Sequence, residues 1–419
     1  MSKFFVSPAS FRAPAIPDPA GASRARPSVL LDPMGYLANG ENETTAQAET
    51  SKGQVVQVSF TLADPPAVSY MCVQCPGMEV DDFAAVPVVL CADGPFVLLA
   101  VTFISCPSRP VSVRCGSSEC FVYRAGPGEP SLELIPRPHF ACPFPGNDIG
   151  IVHCADGQFV IATLEVNLDK GRSYDLHLFS RESNVWITKR VTRDLSCDWG
   201  PAMFHFHTTS KVVAVGGGKL AWVDRWRGIL VCDVLRTDDD PFMRFISLPD
   251  PMESNKEDDY NDACPRSIRD ITFTNGSFKF VEMEFLDDGD DDAPDAWTAT
   301  VWKKKTLSGD WQILHFIHID DVSVSTRYSD MLPELWDDKA MKPSLTKLAT
   351  ASPTLPLLDD NVVYMMSRVD FDDPRAWMIA VDMTTKEMVQ MIPFCADRIS
   401  NVTVNYHPFT FSSYVTNAT

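Results

Sequence analysis

The chain has 419 residues, 36 of them basic and 56 acidic, for a formal net charge of −20, and 45% of it is apolar. That balance excludes a general nucleic-acid binder and disfavours anionic membrane surfaces, since both need clustered Lys and Arg against phosphates. An ordinary apolar fraction punctuated by 32 prolines favours many short strands and loops over long helices.

In chain order, residues 1–27 are Pro, Ala, Ser and Arg without periodicity and are expected to be a disordered leader. The chain carries no apolar run of useful length before Pro8 and Pro14, so no signal peptide is expected. The expected location is therefore cytoplasmic or nuclear, not secreted, and the 12 cysteines should be reduced thiols. The next stretch, Val55-Val-Gln-Val-Ser-Phe60, alternates as a strand does; Asp64-Pro-Pro66 turns the chain, and 68–73 runs apolar again. The greasiest stretch, 96–106, is about half of what crosses a bilayer, and Asp93-Gly-Pro95 in front of it reads as a turn, so no membrane association is expected.

From there a unit repeats: strand, turn, strand, looser connection, strand, polar turn, and a last strand. The last strands fall at 131–135, 186–191, 243–248, 311–316 and 388–392. Inner hairpins are visible between them, bending at Asp156-Gly157, at Gly216-Gly-Gly218 and at Asn275-Gly276. Successive last strands are 54, 57, 68 and 77 residues apart when counted from Leu132. Propeller blades recur at roughly 40–50 residues. The excess here falls in obvious loops at 253–262, 287–295 and 325–360. Four short strands cannot bury both faces alone, and stacking the units radially does so. The expected fold class is therefore all-β, a β-propeller-like array of five or six antiparallel blades with few short helices. Packed β-sandwiches are the alternative. The propeller-like domain is expected over 28–410, with a flexible tail at 411–419. Strands near 55–73, with the stretch 399–406, are expected to supply the sixth blade.

Several patterns invite chemistry. Cys72-Val-Gln-Cys75 has the spacing of a redox pair or half a zinc site, but the next pair, Cys115 and Cys120, is irregular, and structural thiols are the favoured reading. His205 and His207 would share one face of a strand, a geometry that can hold zinc, yet no third ligand is placed by the sequence. The acidic run 287–292 lacks the ligand spacing of a calcium loop, and Gly216-Gly-Gly-Lys219 lacks the flanking residues of a phosphate loop. Leu332-Pro-Glu-Leu-Trp336 reads as a short helix inside an insert. No catalytic residue, metal or cofactor is assigned.

The most telling stretch is Trp222-Val-Asp224-Arg-Trp-Arg227-Gly228-Ile-Leu-Val-Cys232-Asp-Val, two strands of a hairpin broken once by a charged bend, with Arg227-Gly228 expected at the bend. Together with Phe245-Ile-Ser-Leu-Pro249, it resembles the plant family catalogued as domain of unknown function 1618. Further family-like pieces are Val29-Leu-Leu-Asp32, Asn42-Glu-Thr-Thr-Ala46, Leu62-Ala-Asp-Pro-Pro-Ala-Val-Ser-Tyr70 running into Cys72-Val-Gln-Cys-Pro-Gly77, Arg269-Asp-Ile271 and Phe278-Lys-Phe-Val-Glu282. The resemblance runs in order over about 28–395. It implies an intracellular plant protein without an agreed activity, and it brings no catalytic or ligand residues. Ser247 stands where a proline is commoner in the family. Within this frame Trp222, Asp224, Arg227 and Gly228 are expected to be a structural signature.

The functional expectation is a non-catalytic scaffold whose loops meet a protein partner. The rival is a hydrolase or carbohydrate-acting enzyme on the same fold, favoured if two buried acids of raised pKa face one pocket. A third reading is a metal or redox protein using Cys72 and Cys75.

Overall fold

Asn275 and Gly276, with φ of 49° and 70°, turn strand Arg269–Thr274 directly back into Ser277–Leu286. An Asn-Gly pair makes this two-residue bend at little steric cost, and its twist matches that of the strands it joins. Gly216, Gly217 and Gly218 are likewise left-handed and return Lys211–Ala214 into Lys219–Asp224. Asp156 and Gly157 do the same between Ile149–His153 and Phe159–Asn167.

The computed structural model describes residues 8–14, 26–105, 116–126, 128–138, 146–167, 173–193, 207–236, 241–256, 265–286, 296–305, 309–329, 331–338, 341–369, 375–395 and 406–415. Six small sheets follow one another along the chain in a six-bladed β-propeller arrangement, and among the described residues the only helices are short 3-10 turns. The all-β, propeller-like expectation holds, and packed sandwiches are not what forms.

Two compact units share these sheets. The first unit holds four. Sheet I contains Val29–Leu31, Tyr36–Leu37, Ala46–Glu49, Val55–Thr61 and Val68–Gln74, with the C-terminal strand His407–Phe409 added beside Val29–Leu31. The stretch 399–406, expected to supply that strand, lies outside the described residues except for Tyr406. Sheet II contains Phe83–Asp93, Phe96–Ile104, Gly116–Arg124 and Ser131–Ile135. Sheet III contains Ile149–His153, Phe159–Asn167, Ser173–Ser180 and Val185–Arg190. Sheet IV contains Lys211–Ala214, Lys219–Asp224, Gly228–Asp233 and Phe242–Ser247, with Thr192–Arg193 added in parallel at its edge.

Within this unit the continuous apolar run Phe96–Ile104 is explained by burial on both faces. Val97, Leu99 and Val101 pack with Val56, Val58 and Met71 of sheet I, while Leu98 and Ala100 pack with Ile149, Ile151 and Ile161 of sheet III. Sheet III is covered in turn by Leu220, Trp222 and Leu230 of sheet IV. Each such side chain removed from water contributes about 1.5–3 kcal/mol, so the sheets hold one another in place. Of the expected leader, Pro8–Phe11 forms a 3-10 turn, and the Tyr70 hydroxyl donates to the Pro14 carbonyl over 2.9 Å. In the stretch expected as a tail, Phe411–Tyr414 forms another such turn, with Phe411 fully buried in the sheet I core.

The second unit holds sheet V, with Arg269–Thr274, Ser277–Leu286, Ala296–Lys304 and Gln312–His318, and sheet VI, with Ala349–Thr354, Val362–Arg368, Arg375–Asp382 and Glu387–Cys395. The long insert between them carries the short 3-10 turn Pro333–Leu335, with Leu335 buried, and the small ribbon Trp336–Asp337 with Lys342–Pro343. No described helix is long and apolar enough to cross a membrane.

Candidate functional site

The register pairs Asp224 with Gly228, so the bend of the signature hairpin is Arg225 to Arg227 and Gly228 opens the returning strand. Asp224 organises the bend. Its Oδ1 accepts from the backbone N–H groups of Trp226 (2.9 Å) and Arg227 (3.0 Å), and its Oδ2 accepts from Thr208 N–H (2.8 Å) and the Arg227 guanidinium (3.2 Å). Trp222 is buried in the core shared by sheets III and IV, and its indole N–H donates to the Asp148 carbonyl over 2.7 Å. A tryptophan fills that interior only because its one polar atom finds an acceptor there. Arg225 lies inward and donates to the Ser210 hydroxyl over 3.0 Å.

Asp224 also lies within electrostatic reach of His207 and of Tyr174, and Tyr174 within reach of Asp148. His207 is 9% exposed, and neither ring nitrogen has a hydrogen-bond partner among the described residues. Burial lowers its pKa to about 4, with the Asp224 carboxylate opposing and Arg227 reinforcing the shift. His177 in sheet III shows the satisfied alternative. Its Nε2 faces Glu165 at 2.9 Å and its Nδ1 faces the Thr188 hydroxyl at 2.8 Å.

A pH dependence follows from His207. The unfolded chain takes up a proton near the ordinary histidine value of about 6.5, while the folded protein resists it until about 4. Stability should therefore be insensitive to this group above pH 6.5 and fall as the pH drops from there to about 4. Replacing His207→Phe should flatten that part of the stability profile in urea titrations at successive pH values. An unchanged slope would contradict the assignment.

Burial also raises the Asp148 carboxyl, against a hydrogen bond from Thr209, and raises the Tyr174 hydroxyl, helped by Asp148 and Asp224. Asp93 is raised by burial too, although its Oδ2 accepts from His153 N–H at 2.8 Å. Asp148 precedes strand Ile149–His153 and Asp93 meets its far end. The strand's rise separates the two acids by roughly 15 Å, so they face different environments and do not form a working pair.

The thiols are not brought together. Cys72 packs with Tyr36 and Tyr70, whereas Cys75 lies in the core of sheet I, and residues three apart in extended chain point to opposite faces. Burial pushes the Cys75 thiol up to about 12. His205, Cys115 and the acidic run 287–292 lie outside the described residues. Among the described residues no group of three or more His, Cys, Asp or Glu could hold a metal ion.

Sequence reading missed the surface that stands out most. A sheet edge presents unpaired backbone groups, and natural proteins cover or blunt such edges. The outer strand of sheet IV is covered by Thr192–Arg193. That of sheet VI is met by Ser323, and the Tyr328 hydroxyl donates to the Val389 carbonyl over 3.0 Å. The outer strand of sheet II lies against Ala46–Glu49 of sheet I. The outer strand of sheet V, Gln312–His318, pairs with no further described strand, yet Ile313 is 68%, Leu314 37% and Phe316 52% exposed. The register shifts between Val301 and Trp302, where the outer strand carries Leu314 as an extra residue, and this bulge breaks the alternation so that the consecutive Ile313 and Leu314 face solvent. The outer strand of sheet III also exposes Val185 and Ile187, but Thr188, Lys189 and Arg190 follow directly.

Residues 222–364 match the model of a family described as protein of unknown function, DUF1618. No curated protein matches the chain significantly. Among solved structures, a levansucrase mutant of B. megaterium is similar at 10% identity and a TM-score of 0.28, over 89% of this chain and 93% of that one. The WD40 domain of SCAP from fission yeast is similar at 10% identity and a TM-score of 0.30, over 84% and 77%. A GH43 endo-arabinanase from Bacillus licheniformis is similar at 11% identity and a TM-score of 0.27, over 70% and 91%. Likenesses this distant carry no chemistry across to the present chain.

Proposed function

We propose that this chain, whose residues 222–364 match the DUF1618 family model, is a non-catalytic interaction scaffold that docks an extended segment of a partner protein along the outer strand of sheet V. The observation that carries this reading is the edge Gln312–His318, unpaired among the described residues on its outer side, with Ile313, Leu314 and Phe316 exposed. An added strand would satisfy the outward backbone groups, and apolar side chains on it would cover those three residues. Apolar side chains held on an edge strand are an aggregation hazard, and a partner that covers them removes it.

The double variant Ile313→Lys with Phe316→Glu tests the reading. Both side chains are exposed, so stability should stay within about 0.5 kcal/mol of wild type. Proteins captured by the wild-type chain should be lost by the variant. A synthetic peptide from one captured protein, extended and apolar at alternate positions, should bind wild type and at least tenfold more weakly to the variant, on the order of one good anchor residue. Equal binding of that peptide to both proteins would sink the proposal.

A further inference from the structure

A cavity of about 590 Å³ opens between sheets II and III of the first unit. That is within the size range of small-molecule sites. One wall comes from sheet II and carries Arg124 and Glu133. The other comes from two turns of sheet III and carries Asp156, Gln158, Arg181 and Glu182. Arg181 and Glu133 pair across the mouth at 2.8 Å, which neutralises both and ties the walls together.

The remaining charges are not neutralised. The Arg124 Nε donates to the Gly126 carbonyl over 3.1 Å, and its guanidinium lies over the Phe96 ring at 5.8 Å from the centroid. Its terminal nitrogens make no ion pair among the described residues. Asp156 Oδ1 accepts from Gln158 N–H at 3.0 Å, the capping of its own turn. Neither Asp156 nor Glu182 has a cationic partner among the described residues. Among the described residues the cavity thus presents an unpaired cation from sheet II, whose Nη2 reaches to 3.9 Å from the β-carbon position of Gly157, and unpaired carboxylates from the turns of sheet III.

We propose that this cavity binds a small zwitterion of amino-acid or dipeptide size, its carboxylate on Arg124 and its ammonium on Asp156 and Glu182. Guanidinium takes a carboxylate through paired N–H bonds, and a carboxylate pair takes an ammonium as a multiple donor. A polyanion would meet two uncompensated acids. A purely cationic ligand would leave Arg124 without a counter-charge. A neutral sugar would want an open aromatic face, and Phe96 and Phe159 are both buried.

Calorimetric titration of the full chain with a panel of amino acids and dipeptides tests this. Each ligand is used free, N-acetylated and C-amidated. At least one free zwitterion should bind, and each cap should weaken it by about tenfold or more, the scale of one charge-assisted contact. Amino acids binding without dipeptides, or the reverse, would fix which of the two the cavity takes. Arg124→Gln should weaken the free ligand and abolish the effect of amidation. The exposed pair Asp156→Asn with Glu182→Gln should abolish the effect of acetylation, with the melting temperature of both variants kept as a control on folding. No binding by any free zwitterion at about 10 mM, a level weaker than ordinary metabolite affinities, would overturn the proposal. So would capped ligands binding as tightly as free ones, or folded variants that bind like wild type.

Discussion

Replacing Gly228→Val is expected to lower stability by about 2–4 kcal/mol, the range for a bulky residue forced into a left-handed backbone and an occupied space. Gly228 has a φ of 153°, in the region that favours glycine. A β-carbon there would lie 2.5 Å from the Ile246 carbonyl oxygen and 2.5 Å from the Phe245 ring. The carbonyl belongs to the neighbouring strand, whose Ile246 pairs with Ile229, so it cannot move without breaking the ladder. Gly228→Ala should therefore be costly as well, by more than about 1 kcal/mol. Urea unfolding of the two variants measures both effects. An alanine variant as stable as wild type would refute the close approach of the backbone at this position.

The second large effect is expected at Glu282. Arg269 and Glu282 sit directly opposite each other in sheet V, both wholly buried, with Nη2 and Oε1 2.7 Å apart. The same oxygen accepts from the Asn255 amide at 2.7 Å and from Met252 N–H at 3.1 Å, fastening the loop before the sheet onto its second strand. Desolvating two charges is expensive, so the pair adds little net stability. Removing one partner is different, because it takes from the other buried charge a close, directly opposed counter-charge. Glu282→Ala should cost about 3–5 kcal/mol, while the double change Arg269→Met with Glu282→Leu should recover most of that loss. Thermal unfolding of the single and double variants decides. Additive losses would contradict the coupling.

Much of the fold was legible because turn chemistry is local. Asn275-Gly276 declares a two-residue bend on its own, and that bend fixes the register of both flanking strands. Residues equidistant from it face each other, so the pairing of Arg269 with Glu282 was already implied by the turn, although the sequence reading did not use it. The recurring last strands were visible for a related reason. Their apolar residues follow a polar turn at every repeat, and the observed strands Ser131–Ile135, Val185–Arg190, Phe242–Ser247, Gln312–His318 and Glu387–Cys395 lie where expected. The bend at the signature was placed late because Gly228 looks like a turn glycine. Its real task is to let Phe245 and Ile246 approach.

The candidate docking strand was hidden by the same apolar signal. Ile313, Leu314 and Phe316 read as core, since burial is the ordinary fate of such residues. Only the bulge at Leu314, opposite Val301 and Trp302, and the lack of a further paired strand among the described residues turn them outward, and both are tertiary facts. The cavity charges were hidden too. Arg124, Asp156 and Glu182 lie on three separate turns, and nothing in their spacing says that two sheets place them around one space.

The reading rests on the outer strand of sheet V taking up a partner, and hydrogen–deuterium exchange resolved to residues 312–318 tests it most directly. In the free protein, the outward amides of this strand should exchange quickly, because edge groups bond only to water. With the captured partner segment bound, they should become protected, together with little change elsewhere in sheet V. Binding that leaves 312–318 exchanging as before, and protects another surface instead, would contradict the account.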